Sequence, residues 1–398
     1  MRVSVTAHPL PLTIGTLPAR KAMVFLSLFF APAAAQAILL TVVPLEALHL
    51  LGGARAVTLL YLVAGLAAVA GRFCIPMLVH LFQRRMVFTL GALLLAVSAA
   101  LQAMGVVWAL AVGLALATFA FACIEITSTL YLLDQVTRQE LRHFEPIRIF
   151  ASAGPWTLGP WLGVYLQQHV SFAAPFGITA AVALGLLALF WILRLSGGIT
   201  AARRSPPNPL RYLPRFFGQK RLRLAWTLAA ARSSWWSLFY LYAPIFAVTS
   251  GLGAEVGGVL VSIGTGWIWL APVWGWLGRR YGLRALLIVA YAVTAVLSLC
   301  TALAFHSPWL GAALLVTAAF CTEMIDGAGN LLFLRAVHPY ERSEMTTAFV
   351  SYRDVAQLSV PLASSVLLSV FALSSLLVAG GVMMLASAGL ARHIPRRL

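Results

Sequence analysis

Apolar residues in this chain come in runs of about twenty, separated by short polar breaks, from Met23 to Ala391. Twenty helical residues rise about 30 Å, which matches the hydrocarbon thickness of a bilayer. Setting runs against breaks predicts spans at 22–45, 56–80, 86–107, 109–133, 146–167 and 173–194, and again at 225–248, 256–278, 284–305, 309–334, 346–370 and 372–391. A backbone so deep in lipid must satisfy its polar groups internally, so the spans are helices. The expected fold is an all-α polytopic membrane protein. Residues 1–195 and 224–398 form two six-helix bundles, joined by a basic loop over 196–223.

Composition supports this reading, and charge adds an orientation. The 398 residues are 61% hydrophobic and only 10% charged, against about 25% in a soluble domain. A net charge of +17 on a soluble surface would suggest nucleic acid, but here the basic residues collect at alternate breaks. Arg20 and Lys21, Arg84 and Arg85, Arg138 and Arg142, Arg279 with Arg280 and Arg284, Arg335 and Arg342, and Arg392, Arg396 and Arg397 fall on one side. The central stretch, with Arg194, Arg203, Arg204, Arg211, Arg215, Lys220, Arg221 and Arg223 and no acid, joins them; the other side holds only Arg55. Basic loops stay on the cytoplasmic face, which places both termini there, in a bacterial inner membrane, with the central stretch beside anionic lipid. Cys74, Cys123, Cys300 and Cys321 lie inside apolar runs without CxxC spacing and read as small buried hydrophobes, so no metal or disulfide is expected.

The chain also repeats itself at an offset of about 200 residues. Pro44 falls on Pro244, Gly53-Ala54 on Gly253-Ala254, and Trp108 on Trp309, both taken to lie in a short external turn. Cys123 and Glu125 fall on Cys321 and Glu323, and Arg148 falls near Arg353. Arg20, Lys21, the apolar Met23–Phe30 and the small residues Ala31–Ala37 have the form of a cleavable signal, but the same segment has a partner in mid-chain. The two halves share one plan.

Six plus six helices around a basic loop resemble the major facilitator superfamily over essentially the whole chain. The best local match is Gly275, Leu277, Gly278, Arg279, Arg280, Gly282 and Arg284, which resembles the superfamily's signature between the second and third helices of a half. Its glycines are expected to let helices approach and turn, and its arginines to hold the loop at the interface. The corresponding stretch from Pro76 to Arg85 departs from the pattern, with His80 where the family has Asp and Gln83 where it has Gly; the residue through which the family's charge latch forms is therefore absent, and only Arg84 and Arg85 of the motif are intact. Gly154-Pro155 and Gly159, Pro160 and Gly163 are similar to the Gly-Pro motif of the family's antiporters and predict a bent, closely packed helix.

Charges at membrane depth are the most informative residues, because each costs about 2.5–3.5 kcal/mol when it faces lipid. They are Arg72, Glu125, Arg148, Arg232, Glu323, Asp326, Arg353 and Asp354. Glu125 and Arg148 lie on consecutive antiparallel spans and are expected to approach each other, an arrangement that resembles the acid and Arg of the lactose-permease branch. Glu323 and Asp326 share a helix face. Two carboxylates in a poorly hydrated site resist double ionisation, which suits one of them to carry a proton. Gly327 and Gly329 are expected to weaken the helix beside them and open its carbonyls. Arg232 with Trp235 and Trp236 presents cation and indole to an anionic or aromatic substrate, or else pairs with Glu323 or Asp326 to hold the bundle. Arg72 and Asp354 read as packing or gate charges.

The resemblance implies a secondary active transporter of a small organic substrate, a permease working by alternating access as a monomer, with protons and membrane lipid as its other partners and no cofactor. Proton-coupled efflux is expected from the Gly-Pro span. The alternative is a proton-coupled importer (symporter) of a small organic solute, anionic ones included. A membrane enzyme is disfavoured because the three aspartates, Asp134, Asp326 and Asp354, are far apart, and no Gly-Lys phosphate loop supports ATP-driven pumping. A sensor or lipid flippase would share the same fold.

Overall fold

The computed structural model describes residues 19–192, 213–337 and 342–395. Arg194, Arg203, Arg204, Arg211, Arg396 and Arg397 lie outside the described residues, as do the side chains of Arg20, Lys21, Arg138, Arg142 and Arg342. The first half consists of α1 (Ala19–Leu51), α2 (Ala54–Gln102), α3 (Val107–Gln135), α4 (Arg138–His169) and α5 (Ala174–Ile192). The second consists of α6 (Leu213–Gly218), α7 (Lys220–Thr249), α8 (Ala254–Gly266), α9 (Ala271–Tyr281), α10 (Leu283–Leu303), α11 (Pro308–Ala336), α12 (Arg342–Val350), α13 (Tyr352–Leu367) and α14 (Ser374–Ala391), and a 3-10 turn, Trp267–Leu270, links α8 to α9.

Among the described residues, nine segments are long and apolar enough to cross a membrane. The segments outside that set are α4, α7 and the α12–α13 pair, which carry Arg148, Arg232, Arg353 and Asp354. For α4 and α7 the polar load, not length, is the reason, since they have 32 and 30 residues, more than the ~20 needed to span; α12 and α13, with 9 and 16 residues, are each too short alone.

Several boundaries differ from the sequence expectation. The spans predicted at 56–80 and 86–107 form one continuous helix, broken only at Gln83. The fifth span begins at Arg138 rather than 146, because Thr137 and Glu140 form a capping box: the Thr137 N–H donates to Glu140 Oε2 at 2.8 Å and the Glu140 N–H to Thr137 Oγ1 at 3.3 Å. The loop expected to reach 223 is helical from Leu213 apart from a bend at Gln219. Trp108 and Trp309 sit in the first turns of α3 and α11, not in the turns before them. The eleventh span divides at Ser351, whereas α11 runs unbroken through Gly327 and Gly329. The expected opening of carbonyls there does not occur. At Gly327 a Cβ would stand 2.8 Å from Trp274 Cβ, so that glycine admits a neighbouring helix instead.

The two halves turn alike after their second span. Gly282, between α9 and α10, has φ 85° and ψ 141°, and Gln83 has φ 64° and ψ 150°. Gln83 is the one non-glycine with positive φ among the described residues, in a backbone region that essentially only glycine occupies. The repeat is thus written in the backbone even where its sequence has drifted. Gly275 and Gly278, by contrast, make only ordinary contacts, with Arg279 and Leu286, so no tight helix approach depends on them.

Each half has its own core. Phe25, Phe88, Ile124 and Phe190 are buried in the first, and Trp235, Phe239, Tyr291 and Phe333 in the second. A third cluster joins the halves at the end opposite the basic loops, where Val42, Val43 and Val57 meet Leu241, Ile245 and Leu376.

Candidate functional site

The α7 helix carries Arg232 and Trp236 one turn apart, and both grip Asp326 on α11. Arg232 Nε lies 3.0 Å from Asp326 Oδ1, and Trp236 Nε1 donates to Asp326 Oδ2 at 2.5 Å. Arg232 is buried, and its Nη2 donates to the Tyr352 hydroxyl at 3.1 Å. A buried cation persists when a carboxylate and further hydrogen bonds hold it, and here one carboxylate and one phenol do so. The guanidinium is therefore committed within the protein. Arg353 Nε donates to the same Tyr352 oxygen at 3.3 Å, so one phenol joins the two cations.

Glu323 stands one turn before Asp326 on α11. It is 7% exposed, and among the described residues it makes no hydrogen bond and no ion pair within 4 Å. Asp326, Arg232 and Tyr240 are its electrostatic neighbours. Glu125 is exposed on α3, and the cation on which it acts is Arg353, across the boundary between the halves. Arg148, expected opposite Glu125, places its guanidinium 4.6 Å from the Phe29 ring centre on α1. Trp235 turns away from Arg232 into the second half's core, where Nε1 donates to Ser298 Oγ at 3.0 Å and the ring stacks on Phe239. Among the described residues, Arg232 pairs with Asp326 and Arg353 interacts electrostatically with Glu125, whereas Glu323 has no ion-pair partner within 4 Å.

A cavity of about 240 Å³ lies beside this cluster, between α1, α2, α3, α7 and α13. Its wall includes Gln36, Gln102, Tyr61, Tyr240 and Gln357 and contains no charged side chain. Tyr240 belongs to both sites, because it lines the cavity, neighbours Glu323 and stacks on Trp236 with centroids 5.2 Å apart. The α2 helix meets the second half on either side of the cavity. Thr58 shares a 2.7 Å hydrogen bond with Tyr242, and Arg72 forms an ion pair with Asp354. The two contacts are about 21 Å apart along the helix.

A second seam joins α4 to α8. Pro160 has no N–H, so the Trp156 carbonyl four residues earlier loses its helical donor. The Thr265 hydroxyl supplies one at 2.6 Å, and the Trp161 N–H donates to Ser262 Oγ at 2.9 Å. Gly159 and Gly163 bring α4 onto α1, where a Cβ at Gly163 would run into the Ile38 carbonyl. The close packing expected of this motif is present.

In the degenerate N-terminal loop, Arg84 pairs with Asp134 at the end of α3, and Arg85 lies 3.7 Å from the Trp191 ring centre on α5. These contacts stay within one half. In the matching loop of the second half, Arg279 and Arg280 are exposed, and Arg280 lies 5.1 Å from the Trp276 ring centre.

Sequence reasoning missed Glu46, which is buried on α1 with Gln167 Nε2 at 3.4 Å and His49 nearby. The span had been ended at residue 45, and only the continuation of α1 to Leu51 places this acid at depth. Tyr240, Tyr352 and Thr265 were also missed, since nothing local distinguishes them from other core residues.

The sequence model of the Major Facilitator Superfamily matches residues 24–361. A search of the curated proteins finds no match. Among solved structures, the chain is similar to a D-xylose-proton symporter (14% identity, 95% of this chain and 99% of that one, TM-score 0.73) and to a peptide transporter POT in complex with sulfate (14%, 95% and 94%, 0.73). It is also similar to the nucleoside transporter NupG (14%, 94% and 96%, 0.69). At such identities the likeness concerns the fold.

Proposed function

The chain belongs to the Major Facilitator Superfamily and is an integral membrane transporter rather than an enzyme; from that premise we propose that it is a proton-coupled secondary transporter that exports a small organic solute, with both termini in the cytoplasm. Substrate occupies the cavity shared by α1, α2, α3, α7 and α13. Alternating access proceeds by making and breaking the contacts that flank it, Thr58 with Tyr242 and Arg72 with Asp354.

The observation that carries the coupling is the isolation of Glu323. Its neighbour Asp326 is paired with Arg232 and accepts from the Trp236 N–H, so the acid free to gain and lose a proton is Glu323. A buried carboxylate without a partner is costly, and a proton removes that cost. Tyr240 connects this event to the cavity wall. Glu125 and Arg353 form the cross-half part of the same charge system. Export is favoured by the Pro160 seam, which resembles the antiporters' motif; a symporter would use the same acid in the other direction.

Proteoliposomes with imposed pH gradients of either sign test this. Wild-type transport is expected to follow the gradient and to reverse with it, and Glu323→Gln is expected to abolish the dependence while leaving counterflow intact. Gradient-driven transport that survives Glu323→Gln would remove Glu323 from the coupling.

A further inference from the structure

We infer that the transported solute is an uncharged, compact ring compound carrying a cyclic amide, held by the carboxamides of Gln36, Gln102 and Gln357. The inference rests on the cavity given to the substrate above and adds the chemical class.

The lining decides the charge. Among the described residues no Asp, Glu, His, Lys or Arg lines the cavity, and α4, which carries Arg148, contributes nothing to its wall. Glu323 neighbours Tyr240 but lies outside the wall. Following α3 and α13 one turn beyond Phe121 and Gln357 does reach charge, but Glu125 and Arg353 there act on each other. An ion entering the cavity would give up its water and meet no counter-charge on the wall.

Hydrogen-bonding capacity decides the functional group. Gln102 is 1% exposed, and neither its Oε1 nor its Nε2 has a hydrogen-bond partner among the described residues. The side chains of Gln36, Gln357, Tyr61 and Tyr240 likewise make no hydrogen bond to another described residue. The hydroxyls of Thr118 and Ser237, by contrast, are committed to carbonyls of their own helices at 2.8 and 3.0 Å. Polar groups held in an apolar surround are unfavourable until something supplies their partners. A carboxamide donates from its NH2 and accepts at its carbonyl on adjacent positions. A group with an N–H beside a C=O on the same side, as in a cyclic amide, answers both at once, much as the donor–acceptor edge of adenine answers Gln.

The remaining wall decides the body. Leu39, Val43, Leu114 and Val360 supply aliphatic surface, and Phe121 adds a ring. A sugar would press hydroxyls against these side chains and leave them unmet, whereas a flat ring offers them apolar area and stacks on aromatic faces. A cavity of about 240 Å³ accepts one or two such rings. Gln36 and Gln102 belong to the first half and Gln357 to the second, so a solute that reaches both walls bridges the two bundles while it is held.

The test is calorimetric binding of 2-pyridone, 2-quinolone and uracil to the full chain in detergent. Their N-methylated forms, D-xylose, naphthalene-2-carboxylate and N-methylquinolinium serve as comparators. At least one cyclic amide is expected to bind, and N-methylation, which removes the N–H and keeps the ring, is expected to weaken it about tenfold or more. Gln102→Met keeps the length of the side chain and removes both polar atoms. It is expected to weaken binding about tenfold, while the thermal midpoint of the ligand-free chain holds or rises because the unmet amide is gone; a purely structural role would lower that midpoint. Should Gln102→Met fail to fold, Gln36→Met and Gln357→Met carry the same comparison. Failure of all three amides to bind, equal binding of the N-methylated forms, or binding unchanged in the glutamine variants overturns the inference. Should the anion, the cation or the sugar bind instead and move with a pH gradient in proteoliposomes, the substrate class falls and the transport reading stands. Should an amide bind through the glutamines while no gradient of either sign moves it, the coupling reading falls and the chemistry of the site stands.

Discussion

Replacing Thr265 with Val keeps the shape of the side chain and removes one hydroxyl. That hydroxyl lies within reach of three carbonyls, those of Trp156 at 2.6 Å, Val261 at 2.9 Å and Ser262 at 3.2 Å. Only the first lacks a helical N–H donor, because Pro160 follows it by four residues. A stranded buried carbonyl costs about 1–3 kcal/mol in soluble proteins. Hydrogen-bond deletions inside membranes average about 0.6 kcal/mol and reach about 1.7, so a loss of about 1 kcal/mol is expected for Thr265→Val, and little for Thr265→Ser. A double-mutant cycle with Pro160→Ala isolates the cause, since alanine returns an N–H to the Trp156 carbonyl. In that background, Thr265→Val is expected to cost less than half as much, as measured by equilibrium unfolding in mixed micelles. An equal cost in both backgrounds would refute the assignment of Thr265 as a replacement for the missing helical donor.

Three further outcomes follow from the packing. Gln83→Gly relieves a backbone region that costs about 1–3 kcal/mol for a side-chain-bearing residue, and the thermal midpoint is expected to rise. Gly163→Ala meets the Ile38 carbonyl and is expected to destabilise by about 1–3 kcal/mol, whereas Gly154→Ala, with no atom within 4 Å of the new methyl, is expected to stabilise by about 0.5–1 kcal/mol; unfolding midpoints of the pair, compared side by side, check both. Asp354→Asn removes a partly exposed ion pair, so only about 0.5–1 kcal/mol of closure is lost. A cysteine placed at Gln357, in a background where the native cysteines are serine, is then expected to react a few times faster with a water-soluble maleimide, and Arg72→Asp combined with Asp354→Arg is expected to restore the slower rate.

Much of the architecture was legible because membranes impose simple rules. Span number, the duplication and the pairing potential of Arg232 with Asp326 all follow from apolar runs and from the expense of charge in lipid. The start of α4 was also available, in Thr137 and Glu140 at capping-box spacing, but the polar residues that follow masked it. The α2 helix was divided because Arg84 and Arg85 read as a loop, while in the fold their charges are met by Asp134 and Trp191 and the helix resumes past Gln83. Other features were beyond reach in principle. That Glu125 faces Arg353, that Trp235 turns inward, and that Thr265 serves a carbonyl more than a hundred residues away are products of tertiary packing.

Asp326 accepts from two side chains of α7 while remaining part of α11. Anchored twice, it fastens those helices together, so neither can slide past the other without breaking an ion pair and a hydrogen bond. Any stroke that changes the distance between Glu323 and the first half must then be taken by the second half as a single block, and the work of gating falls on the seams at its edges.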